Sequence, residues 1–198
     1  HRESAELITE PVRELGIPFT VIFGNHDGQS EGIEKEELLG MFAELGSLAR
    51  DAVPEMYGCG NYNLPIYSSD GEKIAANLWF FDSGSDNPDE ETGGYDYIRE
   101  DQLQWYRETA LELKEQNGGK VVPSLVFQHI IVPEAYEKMF TRLPFQIGDA
   151  SINLEDGTAY SLIPNFAGYE GIVYEKLGSS KVKTEELNLM REIGDVMA

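Results

Sequence analysis

Two places in the chain combine residue types that could do chemistry. Asn25, His26 and Asp27 follow Gly24 at the end of the apolar run 19–23, and Gln128-His129 follows the apolar run 121–127. An amide oxygen can ligate a metal, an imidazole can ligate one or donate a proton, and a carboxylate can orient the imidazole. His26 and His129 are the only histidines besides His1, so imidazole chemistry rests on these two. A third polar pair, Asp82-Ser83, ends the run 74–81. Its residue types suit a structural hydrogen-bond acceptor or turn better than a catalyst.

Such residues work only if the fold gathers them. The runs 19–23 and 121–127 carry no charge and are rich in branched and aromatic residues. They read as strands buried on both faces. In open α/β sheets, ligands bind beyond the carboxyl ends of the strands. If the two strands are parallel neighbours, the imidazoles of His26 and His129 face one site. Gly24 lets the backbone turn sharply and leaves room for an ion or phosphate.

The surrounding periodicity supplies the scaffold. Residues 3–15 predict a helix kinked at Pro11, with Ile8, Val12 and Leu15 inward. Residues 34–45 predict a second, with Leu38, Phe42 and Leu45 inward and glutamates in its first turn. Residues 57–67 and 74–81 predict an antiparallel pair joined through Ser68-Ser69-Asp70-Gly71. A long helix over 100–116 should bury Leu103, Tyr106, Ala110 and Leu113, leaving Trp105 off the stripe over the sheet edge. A short helix at 134–140 and a last one at 185–193, with Leu187, Met190 and Ile193 inward, complete the set. Residues 194–198 read as the start of another strand. Between them, residues 143–183 form a loop-rich excursion with short strands, of the kind that shapes substrate access.

Composition narrows the function. At 198 residues with 41% hydrophobic content, a single globular domain is the expectation over 1–198. Thirty-six acidic residues against fifteen basic give a net charge of −21. That charge excludes nucleic-acid binding through the general surface, which depends on Lys and Arg neutralising phosphates. It also disfavours anionic membranes, and no apolar run has transmembrane length. A phosphate-bearing substrate would be repelled unless bound cations reverse the local field. The acidic loop 86–91 lacks the ligand spacing of a calcium loop and reads as solvated surface. Cys59 is the single cysteine, has no neighbouring base, and reads as inert.

With these residues in place, the chain resembles the calcineurin-like metallophosphoesterases. The likeness is to their purple-acid-phosphatase-like branch that includes a group of yeast phosphatases. Phe23-Gly24-Asn25-His26-Asp27 is similar to the family's Gly-Asn-His-Asp/Glu motif. Phe80-Phe81-Asp82-Ser83, Gly94-Tyr95-Asp96-Tyr97-Ile98 and Gln102-Leu103-Gln104-Trp105 are similar to that branch's succession of strand, recognition loop and helix. The segment from Phe127 to Glu134 resembles its His-x-Pro segment, with a longer approach to the proline.

The resemblance implies an α/β fold, a partial αββα metallophosphoesterase sandwich of mixed β-sheets flanked by helices. It also implies metal-dependent hydrolysis of phosphate esters at a dinuclear site. Asn25 and His129 would be metal ligands, His26 would hydrogen-bond the phosphate or leaving group, and Asp27 would hold His26 in orientation. The cofactors implied are two divalent or trivalent metal ions, of iron, zinc or manganese. The implied substrate is a small phosphate ester or a phosphoprotein. The family's Asp-x-His, Gly-Asp-x-x-Asp and Gly-His-x-His motifs do not occur in this sequence. The expectation is therefore a truncated, central part of a larger enzyme, with about a third to a half of the required ligands and little activity alone. The alternative is a non-catalytic phosphoesterase-like binding or scaffold domain.

Overall fold

The hairpin predicted from alternation is the centre of the molecule. In the computed structural model, β1 (Tyr62–Tyr67) runs antiparallel to β2 (Ile74–Phe80), in register from Tyr62 opposite Phe80 to Ile66 opposite Ala76. The structure describes residues 1–29, 32–134, 140–143, 151–153, 159–162 and 178–197. The connecting turn closes with Ser68 N–H donating to Lys73 O, and Gly71 takes a positive φ of 74° that favours glycine. β3 (Ser124–Phe127) adds parallel to β2, pairing Asn77 with Ser124 through Phe80 with Phe127. The sheet is thus mixed, in the order β1-β2-β3. Its parallel pair is joined by a helical crossover, α3 (Glu100–Gln116), which spans the predicted residues.

Alternation along β2 divides the core in two. Trp79 and Phe81 face α3 and α4 (Glu186–Ile193), packing with Leu103, Trp105, Tyr106, Leu113, Leu189 and Met190. Phe80 and Tyr62 face the other way, toward Phe23 and toward Leu38 and Leu39 of α2 (Lys35–Glu44). Helices therefore flank both faces of a three-stranded mixed sheet, an α/β arrangement consistent with part of a metallophosphoesterase fold. After α4 the chain returns to the sheet: Ser124 N–H donates to Asp195 O, Met197 N–H donates to Ser124 O, and Val196 bridges Ser124 in parallel. The strand start read in 194–198 is present as that single bridge. Asp195 is buried and accepts from Trp79 Nε1 at 2.9 Å and from Tyr106 Oη, tying α4, β2 and α3 together.

Short strands form at the leading edge of the stretch 143–183 and within it. β4 (Phe140–Leu143), β5 (Ser151–Asn153) and β6 (Ala159–Leu162) form a separate antiparallel sheet in the order β4-β6-β5. Most of the predicted helix at 134–140 lies outside the described residues.

Five expectations change. Residues 19–23 form no ladder among the described residues; they run extended, held by Leu48 N–H on Phe19 O and Tyr62 Oη on Val21 O. Apolar content sets the burial of Phe23, but a strand also needs a neighbouring backbone. β3 is not buried on both faces, since Leu125 is 42% and Phe127 40% exposed. The helix α1 (Arg2–Glu14) buries Ala5 and Thr9 and leaves Ile8 and Leu15 each 73% exposed. Its buried face is the one with small residues, which periodicity alone did not distinguish from the apolar face. Trp105 sits in the core, edge-on to Trp79 and Phe81, and α4 turns Leu189 inward in place of Leu187.

Candidate functional site

The extended segment 19–23 delivers Phe23 into the core and then turns. Gly24 N–H donates to Asp27 Oδ2 at 2.6 Å and Asp27 N–H donates to Gly24 O, closing a tight loop that leads into a 3₁₀ turn over Asp27–Gln29. The loop presses Asn25 inward, where it is only 6% exposed. From the end of β3, His129 reaches the same point. Its Nε2 lies 2.9 Å from Asn25 Oδ1, a contact between residues 104 positions apart.

Gly24 makes that meeting possible. A Cβ there would stand 3.0 Å from His129 Cδ2 and Nε2, closer than ordinary packing allows. The room expected for an ion or phosphate at Gly24 is occupied by the His129 ring. Downstream, Ile130 N–H donates to Ser83 Oγ at 2.9 Å, so the polar end of β2 fixes the backbone that carries His129.

The other two predicted residues diverge. His26 is exposed, and its Nδ1 contacts Gln29 Oε1 at 2.8 Å. Asp27 commits its carboxylate to Gly24 N–H, so the pairing expected between Asp27 and His26 is replaced by one between Gln29 and His26. Gln29 Nε2 in turn lies 3.5 Å from Asp86 Oδ2. Sequence reasoning passed over Gln29; its position three residues after His26, across a 3₁₀ turn, was the available signal.

Asp82 behaves as its residue type suggested. It is 2% exposed and accepts from Lys35 Nζ at 3.0 Å, Cys59 N–H at 2.9 Å and Gly84 N–H at 3.0 Å. Gln102 Nε2 donates to Asp82 O and to Asn61 Oδ1, extending the network to α3. Cys59 is buried beside it. Desolvation, and then the charges of Asp51, Glu36 and Asp82, push its thiol up to about 12, which removes the reactive thiolate near neutral pH. At the margin, Ser179 bridges Ile131 and Ser180 bridges Tyr95, with Ser180 Oγ donating to Tyr95 O. The chain that returns from the 143–183 excursion is thus stapled beside His129.

Asn25 and His129 offer an oxygen and a nitrogen at one point, a donor set that suits a divalent or trivalent transition metal. Two ligands are fewer than such an ion needs. Among the described residues no group of three or more His, Cys, Asp and Glu could hold a metal.

The fold defines the class: a helix-flanked mixed sheet consistent with part of a metallophosphoesterase. The homologues of this chain are purple-acid-phosphatase-like proteins of the calcineurin-like superfamily. One is probable inactive purple acid phosphatase 28 of Arabidopsis thaliana, 29% identical over 180 residues, covering 81% of this chain and 43% of that protein. Probable inactive purple acid phosphatase 29 of the same plant is 32% identical over 133 residues, covering 60% and 34% respectively. Probable inactive purple acid phosphatase 14 is 32% identical over 149 residues, covering 67% and 37%. The chain spans less than half the length of each of these relatives. No protein-family model matches it, and no solved structure matches it.

Proposed function

We propose that this chain forms one wall of a metal-assisted phosphoesterase site. Asn25 and His129 are two ligands of one metal ion, and His26 hydrogen-bonds the phosphate group or the leaving oxygen. The observation that carries this reading is the 2.9 Å approach of Asn25 Oδ1 and His129 Nε2 across 104 residues, with Gly24 cut back to admit the ring. Metal ions at such a site, of iron, zinc or manganese, would supply a hydroxide near neutral pH and neutralise charge on the phosphoryl group. This chain's residues do the rest. Asn25 Oδ1 and His129 Nε2 would hold an ion, Ser83 and Asp27 fix the two backbones, and His26 would donate to an anionic oxygen. With a net charge of −21, the chain needs cations to accept a phosphate ester at all. The remaining ligands come from outside the described residues. The branch related to yeast phosphatases is the finer placement, on the succession of motifs from Phe80 to Trp105.

Thermal unfolding in the presence of Zn²⁺ or Mn²⁺ tests the metal half. A metal-dependent rise in Tm is expected for the wild-type chain and should vanish in the Asn25→Ala, His129→Ala double variant. A rise that survives both changes would place the metal elsewhere and overturn the assignment. A second reading, a phosphoesterase-like domain that binds without hydrolysing, is favoured by one finding: the three plant relatives are named probable inactive. Turnover of a nitrophenyl phosphate by the chain supplied with Zn²⁺ or Mn²⁺, abolished by the same double change, would reject that second reading.

A further inference from the structure

We propose that the outer edge of β3 is a receiving site for one further β-strand: an extended polypeptide segment, apolar on both faces, running parallel to β3 in line with Val196 and Met197. β3 is the last strand of its sheet. Its inner edge is taken. Asn77 N–H donates to Pro123 O and Phe81 N–H donates to Phe127 O, bonds that pair this stretch with β2. Its outer edge is used at one residue. Ser124 N–H donates to Asp195 O, Met197 N–H donates to Ser124 O, and Val196 is the parallel bridge partner between them. Backbone groups of successive strand residues point to opposite edges, so the N–H and C=O of Val126 lie on the outer edge with those of Ser124. A parallel strand carried on past Met197 would meet Val126 next. Among the described residues the pairing stops at that single bridge.

Beside that edge lies a slot and not a flat rim. A cavity of about 340 Å³ opens there, lined by Ile22, Val126, Phe127, Gln128, Glu186 and Met190 among others. Val126 packs on the α4 side of the sheet, with the cluster that holds Trp79, Leu189 and Met190, while Phe127 stacks on Phe80 on the opposite side. The lining thus comes from both faces of β3 and from both flanking layers, α4 on one side and the extended segment 19–23 on the other. A space bounded in this way has the shape of one strand position, in plane with the sheet and roofed on both faces. Val196 already packs against the α4-side core, which fixes the direction of entry. A strand covered on both faces is apolar throughout, and the lining agrees. Ile22, Val126, Phe127 and Met190 are apolar, and burial pushes the Glu186 carboxyl up to about 8, so it is mostly uncharged near neutral pH. An unpaired edge of this kind takes up extended chain through main-chain hydrogen bonds. A second copy of the chain is the poorer occupant, because two molecules at −21 repel each other.

Amide hydrogen exchange, followed by NMR, tests this in the chain as it stands and in a lengthened one. In the original chain Ser124, bonded to Asp195 O, should exchange slowly and Val126 quickly. A Val126 amide as protected as that of Ser124 would mean that the edge is already closed, and would overturn the proposal. In the lengthened chain, a short tail rich in valine and isoleucine follows Ala198. Exchange at Val126 is then expected to slow by roughly five- to tenfold, the scale of one added backbone hydrogen bond. Tm should rise by a few degrees alongside it. The same tail with proline in its first position lacks the N–H that would donate to Val126 O, and should lose most of both effects. Unchanged exchange at Val126 in the lengthened chain, or slowing that the proline tail retains, overturns the assignment. Slowing that appears only as concentration rises, together with a dimer in sedimentation equilibrium, gives the edge to a second copy and overturns it equally.

Discussion

Gly24 shows how much one missing methyl group can decide. Its backbone is an ordinary turn, yet its bare Cα is the surface on which the His129 ring rests. Gly24→Ala is expected to push the ring away by a few tenths of an ångström and loosen its contact with Asn25. Affinity for Zn²⁺, measured by calorimetry, should fall by about tenfold, the scale on which misplaced ligands weaken metal sites. Glu186 is a second residue where environment outweighs type. It is buried at the start of α4, and desolvation, opposed by the Gln128 side chain and reinforced by the charge of Glu134, pushes its carboxyl up to about 8. The sign follows directly. Between about pH 4.5 and 8 the folded chain holds a proton that the unfolded chain releases, so this residue lowers stability as pH rises through that window. Glu186→Gln should therefore stabilise the chain at pH 8 by on the order of 1–3 kcal/mol, with the gain fading near pH 4. Urea unfolding at both pH values measures it.

At the scale of elements, the polar end of β2 is the joint between site and scaffold. Asp82 gathers the start of α2 through Lys35, the 58–60 loop through Cys59 N–H and its own turn through Gly84 N–H, while Ser83 holds the strand-end backbone beside His129. Lys35 and Asp82 are a buried ion pair, with side chains 12% and 2% exposed. Removing one partner of such a pair leaves an uncompensated charge, at a cost of about 3–5 kcal/mol. Asp82→Ala should lose that much in denaturant unfolding. The Lys35→Met, Asp82→Ala double variant should recover part of it, because the stranded ammonium is gone. A double variant no more stable than Asp82→Ala would show that the backbone N–H groups, not Lys35, carry the effect.

Over the whole molecule, charge dominates. Thirty-six acidic against fifteen basic residues repel one another in the compact state. Raising NaCl from about 0.02 M to about 0.5 M shortens the Debye length from roughly 20 Å to roughly 4 Å. Tm should rise by a few degrees, since the exposed repulsion is screened while the buried Lys35–Asp82 pair is not. Scanning calorimetry across the salt series checks this, and a falling Tm would mean that surface ion pairs such as Arg107–Glu192 outweigh the repulsion. The same field makes any phosphate chemistry in this chain depend on cations.

Local chemistry was enough to read α3 to its ends and to pair β1 with β2, because helix period, strand alternation and turn residues are properties of neighbouring positions. It also anticipated the inert Cys59 and the structural role of Asp82, from residue types alone. What it did not contain was which neighbours would be present. Residues 19–23 lack a ladder and β3 exposes Leu125 and Phe127, because strand pairing and face burial depend on distant chain. Ala5 and Thr9 face inward on α1, where apolar content favoured Ile8 and Leu15, because the face a helix buries depends on the chain that packs against it. The amide oxygen of Asn25 and the ring of His129 were candidates in the sequence; the packing that sets them 2.9 Å apart over a glycine belongs to the tertiary structure alone.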